Sequence, residues 1–326
     1  ARRASLYDSY EFVLDDLAMA EELLDEDYDA YSSYYITKGV AHALHARVAL
    51  NMQNWEDAIE YSTKLINHKN NAYSLSAANV AYTGNMSFFD YMWQYDLGTE
   101  VIWQLGFTTT SYGGALGQVF LNYTNDYTYY YPDYVPAQWV LNLYSAGDLR
   151  YNAYFADFAT GYDHNLTWPL LVKYYGNQNF ISNALIYHVS MPKPFRLAEQ
   201  YLIRAEAYCR QAKPDYSAAS KDLVALRATR LSSSGNVALT ADNCIQAIAE
   251  ERVRELYMEG FRLNDIKRWG KLYNNGEGFQ REPQSNTLKE GSSLKIKADN
   301  PLFVWPIPQH EIEAPGSQVQ PNESNK

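Results

Sequence analysis

The sequence is short of cysteine, of basic residues and of long apolar runs. Two cysteines, Cys209 and Cys244, stand among 326 residues. They leave no disulfide framework and no CxxC pair, and both lie in helix-like text as small buried apolar residues. Lys and Arg number 27 against 38 Asp and Glu, a net charge of -11. A nucleic-acid partner would need a basic face, so that class is excluded. No stretch approaches the roughly 18 apolar residues that span a bilayer, and the opening "ARRASLYDSYEFVLDDL" has no apolar signal core. "SYGGALG" (111–117) lacks a following Lys-Ser/Thr, so it reads as turns and not as a phosphate loop. No GxSxG occurs and no Cys/His pair is marked by spacing, so nucleophilic catalysis has no local support.

Tyrosine is what the chain has in excess. Its 30 Tyr, with 12 Phe and 7 Trp, bring aromatics to 15%. The phenol hydroxyls reconcile a 47% hydrophobic composition with a mean hydropathy of -0.43. Core packing alone does not account for so many, and rings that keep one polar edge wet are typical of binding faces. The length suits one large domain or two modest ones, with a core that needs no metal or disulfide.

Three zones, packed as one domain, differ in texture. Residues 1–70 read as helices: apolar positions recur at three- and four-residue steps from Leu6 to Leu24. "YYITKGVAHALHARVALNM" and "WEDAIEYSTKLIN", split only by "QN", predict a tetratricopeptide-like helical hairpin. Residues 71–190 hold 18 of the 30 Tyr and 4 of the 7 Trp but only two basic residues, Arg150 and Lys173. Helical period fades there. Strand-like runs appear at 100–107 and 168–175, and "PAQWVLNLYSAG" predicts a helix from Pro136 to Gly147. Long irregular insertions of this kind are usually functional. Residues 191–326 return to helix: "PFRLAEQYLIRAEAYCRQ" with "YSAASKDLVALRATR" as a second hairpin, then "ADNCIQAIAEERVRELYMEG" ending at Gly260. The fold class is mainly α, helical hairpins carrying a loop-rich insertion.

The segment "NYTNDYTYYYPDY" supplies the candidate site. Sugars present flat C–H faces ringed by hydroxyls; Tyr or Trp stacks on the face while Asn and Asp bond the hydroxyls. That chemistry selects Tyr127, Tyr129, Tyr130, Tyr131, Asn122 and Asp126, with Trp93 and Trp168 added as open rings at strand edges. Trp103 and Trp139, inside regular elements, are expected in the core. His42 and His45 share a helical face, but no third ligand is marked, so they read as helix-surface residues and no metal or cofactor is expected. The charges of 250–268 read as ion pairs on a helix corner, Glu250 with Arg254 among them, rather than as catalytic carboxylates.

"PFRLAEQYLIRAEAYCR", "YSAASKDLVALRATR", "IAEERVRELYMEGFRLNDIKRWG" and "FVWPIPQHEIEA" follow in an order and spacing that resemble the C-terminal signature of the SusD/RagB family. "TEVIWQLGF" and "VPAQWVLNLYSAGDLRYNAYF" are similar to that family's middle section, and the first hairpin to its own. The resemblance implies a tetratricopeptide-like fold and a non-catalytic outer-membrane lipoprotein on the cell surface. Such a protein binds oligosaccharide or polysaccharide, in some cases peptide, and passes it to a SusC-like TonB-dependent transporter. It also implies that Glu251, Arg252, Glu255, Glu259, Gly260, Arg262, Asp265, Arg268 and Trp269 hold the fold. The family's lipid-bearing N-terminal Cys and long N-terminal portion are not in this chain. A fragment, processed form or shortened relative is therefore expected, with part of the ligand site outside it. The Asn-Pro usual after the final Glu reads Ala314-Pro315.

Overall fold

A computed structural model describes residues 3–25, 33–68, 72–123, 128–162, 166–281 and 295–325. The chain is mainly helical. Helices α1 (Leu6–Leu23), α2 (Lys38–Met52) and α3 (Trp55–Ile66) come first. Ser5 and Asp8 form a reciprocal capping box at the start of α1. Gln53 takes a left-handed conformation to end α2, and the Asn54 side chain accepts from the Asp57 backbone to start α3. The predicted hairpin is present, with Ala43, Ala46, Ala49 and Ala58 fully enclosed at the α2–α3 contact.

The insertion carries short elements. In order they are β1 (Ala81–Thr83), β2 (Met86–Ser87), α4 (Phe88–Tyr95), β3 (Val101–Trp103), α5 (Gln118–Leu121), α6 (Gln138–Leu141), α7 (Arg150–Tyr154), β4 (Phe155–Ala159), β5 (Thr167–Leu171) and α8 (Gln178–Ala184). β4 and β5 form an antiparallel pair from Phe155↔Leu171 to Ala159↔Thr167. The helix predicted from Pro136 to Gly147 shrinks to α6. Its apolar residues, Val140, Leu141 and Tyr144 among them, join the main core, and the Tyr144 hydroxyl donates to the Arg254 carbonyl at 2.9 Å.

The C-terminal part contains β6 (Phe195–Arg196), paired antiparallel with β3, then α9 (Leu197–Arg210), α10 (Tyr216–Ala228), α11 (Cys244–Glu255) and α12 (Arg262–Trp269). A small antiparallel pair, β7 (Phe279–Gln280) with β8 (Lys295–Ile296), and α13 (Gln309–Ile312) complete it. α9 packs against α2, α3, α10 and α11. Its buried charges each reach a different helix. Glu199 accepts from Arg47 Nε of α2 at 2.7 Å, Arg204 donates to Asp222 of α10 at 2.6 and 2.9 Å, and Glu206 accepts from Arg268 of α12 at 2.7 and 2.8 Å. Cys209 and Cys244 are free and buried in the α9–α10–α11 core.

α11 fastens the insertion to this frame. Both basic residues of 71–190 are buried against its C-terminal end. Arg150 donates to Glu251 at 2.7 Å and to Glu255 at 3.1 Å, and Lys173 to Glu259 at 2.6 Å. Arg196 and Arg230 share the same carboxylates: Arg196 reaches Glu259 at 2.7 and 2.9 Å, and Arg230 reaches Glu255 at 3.0 Å and Glu100 at 2.7 Å. The ions expected on a helix corner thus lie inside the protein. Arg254 pairs with Glu251, not Glu250, whose carboxylate accepts from Gln246. A helix end leaves carbonyls without partners. Here Tyr144, Tyr154 and Tyr174 hydroxyls and Lys173 Nζ donate to the carbonyls of Arg254, Glu255, Met258 and Tyr257 at 2.9 to 3.1 Å. α11 therefore stops at Glu255, short of the predicted Gly260, and the chain reverses through Met258 (φ 59°) and Gly260 (φ 88°).

Candidate functional site

The Tyr-rich segment is woven into regular structure rather than left as a free loop. Tyr130 N–H donates to Ala159 O at 3.0 Å, and Gly161 N–H returns to Tyr130 O at 2.9 Å, extending the β4 end by one parallel bridge. Tyr131 N–H donates to Asn122 O at 2.6 Å and Asp133 N–H to Val119 O at 2.8 Å, which pins the segment to α5. Side chains follow from that path. The Tyr130 ring lies 4.5 Å from Phe158, whose cross-strand partner is Trp168, and 6.1 Å from Tyr123. The structure thus brings Tyr130 and Trp168 onto one row. Both are half-buried against the main core, and Trp168 Nε1 donates to Pro136 O at 3.2 Å. Trp168 is the second residue of β5, next to the strand's start. Tyr131 meets Tyr162 edge-on at 5.4 Å and packs on Gly161, where a Cβ would approach its ring to 2.0 Å. Tyr129 is half-buried and Asn122 is exposed. Tyr127 and Asp126 lie outside the described residues.

Trp93 is a correction. It is a helix residue of α4, only 4% exposed, packed edge-on to Phe89, Tyr154 and Tyr174. It has no open face for a ligand. Trp139 corrects the opposite expectation: it is only partly buried and lines a cavity.

That cavity, about 630 Å3, opens between the insertion and the α11–α12 turn. The insertion contributes Tyr134, Trp139 and Tyr162, the turn Tyr257 and Phe261, and β7 Phe279. Tyr134 and Tyr162 are 51% and 42% exposed, so their rings reach solvent at its edge. Burial pushes the Tyr257 phenol up, and burial with Asp133 nearby raises Tyr162. Both remain neutral hydroxyls at ordinary pH. Polar groups on the wall include Arg252 and Arg262, with Asp265 and Asp133. Asp265 is already engaged, accepting from Arg252 Nε and from Arg268 at 2.8 Å each.

None of the described residues selected from sequence lines the cavity; their neighbours do. The signal for Tyr134 was present in the same Tyr-rich run. Arg252 and Arg262 sit inside the family signature, where fold-holding roles masked them. His42 and His45 lie at the α1–α2–α3 contact instead of the helix surface. His45 is buried, stacks on Tyr61 at 3.5 Å and meets Glu21 at 3.2 Å, while burial lowers His42 to about 4. Among the described residues no three His, Cys, Asp or Glu side chains group as a metal set, and no helix is long and apolar enough to cross a membrane.

A helical-hairpin frame bears an aromatic insertion over a cavity, and the comparisons place the chain within one family. The SusD family model matches residues 149–323, and the chain belongs to that family. A SusD superfamily protein from Bacteroides thetaiotaomicron superposes with a TM-score of 0.76 at 22% identity, over 98% of this chain and 67% of that one. A SusD superfamily protein from Bacteroides vulgatus gives 0.72 at 22% identity, over 99% of this chain and 66% of that one. A SusD-like carbohydrate binding protein, also from Bacteroides vulgatus, gives 0.63 at 25% identity, over 82% of this chain and 52% of that one. The chain thus spans between about half and two thirds of the length of these structures. None of the curated proteins matches it.

Proposed function

We propose that this chain captures glycans at the outer surface of the cell, without cleaving them, for delivery to a SusC-like TonB-dependent transporter. The observation that carries the reading is the pair of half-exposed rings, Tyr134 and Tyr162, at the edge of an aromatic-walled cavity. The Tyr130–Phe158–Trp168 row adjoins it through Tyr131 and Tyr162. Stacking supplies adhesion, and neutral phenols and Asn122 supply hydroxyl contacts. Family membership, and a relative whose name is a carbohydrate binding protein, support the same reading.

A shallow aromatic site should bind with Kd near ~10 μM to 1 mM. Calorimetry against plant, host and microbial polysaccharides, with a reducing-sugar assay alongside, tests the proposal. Binding without sugar release, weakened about tenfold by Tyr162→Ala, is the expected result. Sugar release by the purified protein would overturn the non-catalytic part, and binding untouched by Tyr162→Ala and Tyr130→Ala together would overturn the site.

A further inference from the structure

We propose that the cavity is built for a carboxylate, so that the glycan taken by this chain is an acidic one bearing uronic-acid residues; this rests on the glycan reading above. The reason lies in donors that the fold leaves over. Arg252 is 3% exposed and lines the cavity. Its Nε donates to Asp265, yet its buried Nη1 has no acceptor among the described residues. Arg262, on the same wall, also has a buried Nη1 without an acceptor there, and so does the indole Nε1 of Trp139. A buried donor without an acceptor costs more than a made bond returns, and such groups are rare in folded proteins. Other buried atoms of the described residues also lack a partner, Trp93 and Trp269 Nε1 among them, but these three belong to residues that line one cavity, where a turn of the side chain would bring an acceptor from elsewhere within reach.

The arginines of this protein make the contrast sharp. Arg150, Arg196, Arg204, Arg230 and Arg268 are all buried and each is ion-paired. Arg262 is paired with no carboxylate among the described residues. It stands among aromatic rings, 4.9 Å from Tyr273 and 5.7 Å from Trp139, and Nη2 reaches only the Tyr273 hydroxyl at 3.3 Å. Arg281 adds a further exposed cation to the lining. A planar carboxylate matches guanidinium donors in geometry and charge. The aromatic wall suits the C–H face of the ring that carries it. Asp133 and Asp265 temper the field, which favours a singly charged group over a phosphate. The volume of 630 Å3 lies within the roughly 300–1,000 Å3 typical of small-ligand sites.

The test compares oligomers of galacturonate, glucuronate and mannuronate with the same oligomers after their carboxyls are reduced to hydroxymethyl groups. Calorimetry is run on the chain and on Arg262→Met, which keeps the apolar stem and removes the donors; melting curves confirm that it folds. Arg281→Ala, at an exposed position, serves as a second variant. At least one acidic oligomer should bind about tenfold more tightly than its reduced form, and Arg262→Met should erase that difference. If reduced oligomers bind as well as acidic ones, or the preference survives Arg262→Met, the carboxylate site is overturned and glycan capture stands. If neither these oligomers nor the neutral polysaccharides bind, both fall.

Discussion

Trp93 lies beneath three cations, with Lys173 at 4.3 Å, Lys193 at 5.1 Å and Arg196 at 5.2 Å from its ring. A desolvated cation over an indole is worth about 2 kcal/mol, and the ring also fills the core between α4 and β5. Trp93→Ala should therefore cost about 3–5 kcal/mol of stability, read as a lower denaturation midpoint. Trp139→Ala, at the cavity wall, should weaken ligand binding at a smaller cost in stability. A stability loss at Trp139 equal to that at Trp93 would count against this division. Sequence could not assign the two: both sit in aromatic-rich text, and which face meets solvent depends on how short elements turn. Gly161 makes a finer case. A methyl there would meet the far end of the Tyr131 side chain, so the ring and not the backbone must shift. Gly161→Ala should leave the melting temperature nearly unchanged yet disturb the Tyr131–Tyr162 contact and weaken glycan binding; unaltered binding would remove Tyr131 from the site. The tyrosine excess, readable only as a surplus of rings, divides on the same ground. Tyr144, Tyr154 and Tyr174 are buried helix-end donors, while Tyr134 and Tyr162 face outward.

Among the helices, the hairpins were legible because spacing of Ala and apolar residues, with caps such as Asn54, is local information. The end of α11 was not, because it is set by hydroxyls and an amine from residues about a hundred positions away in sequence or nearly so. Ion pairing was half legible. The charges near 250–268 are visible as a cluster, but whether they lie on a wet corner or in the interior depends on Arg150, Lys173 and Arg196 arriving from elsewhere. Buried pairs of this sort fix which elements meet, and removal of one partner leaves the other charged and alone. Glu206 between α9 and α12 tests this. Burial pushes its carboxyl up, but Arg268, Arg252 and Arg210 outweigh that and hold it at about 2, against 4.5 when exposed. The folded value is the lower one, so its contribution is complete above pH 4.5 and is lost as pH falls toward 2. Glu206→Gln should cost about 3–5 kcal/mol at neutral pH. The gap from the unaltered protein, followed by urea midpoints, should close as pH falls through that window. A gap independent of pH would mean that shape, not charge, makes the difference.

Over the whole molecule, charge runs against its average at the cavity. The chain carries -11, yet the cavity sets Arg252, Arg262 and Arg281 against only Asp133 and Asp265. An acidic glycan would meet repulsion at a distance and attraction on contact. The two respond differently to salt. At about 0.1 M ionic strength the screening length is about 10 Å, so the distant field fades while partly buried contacts are screened much less. Added salt should then speed association, by relieving repulsion, and leave dissociation nearly unchanged. That is the reverse of a protein that gathers anions with an exposed basic face, where salt slows capture. Stopped-flow measurements with a uronate oligomer, from about 0.01 to 0.15 M salt, should show an association rate that rises and an affinity that tightens in proportion. The same series with the carboxyl-reduced oligomer should be flat in both rates, because a neutral ligand feels neither field. An affinity for the uronate that falls steeply with salt would place its contacts on open surface charge, outside the cavity. A flat response for both oligomers would mean that the carboxylate meets no field at all where it binds, and the arginine wall would then lose its assigned role.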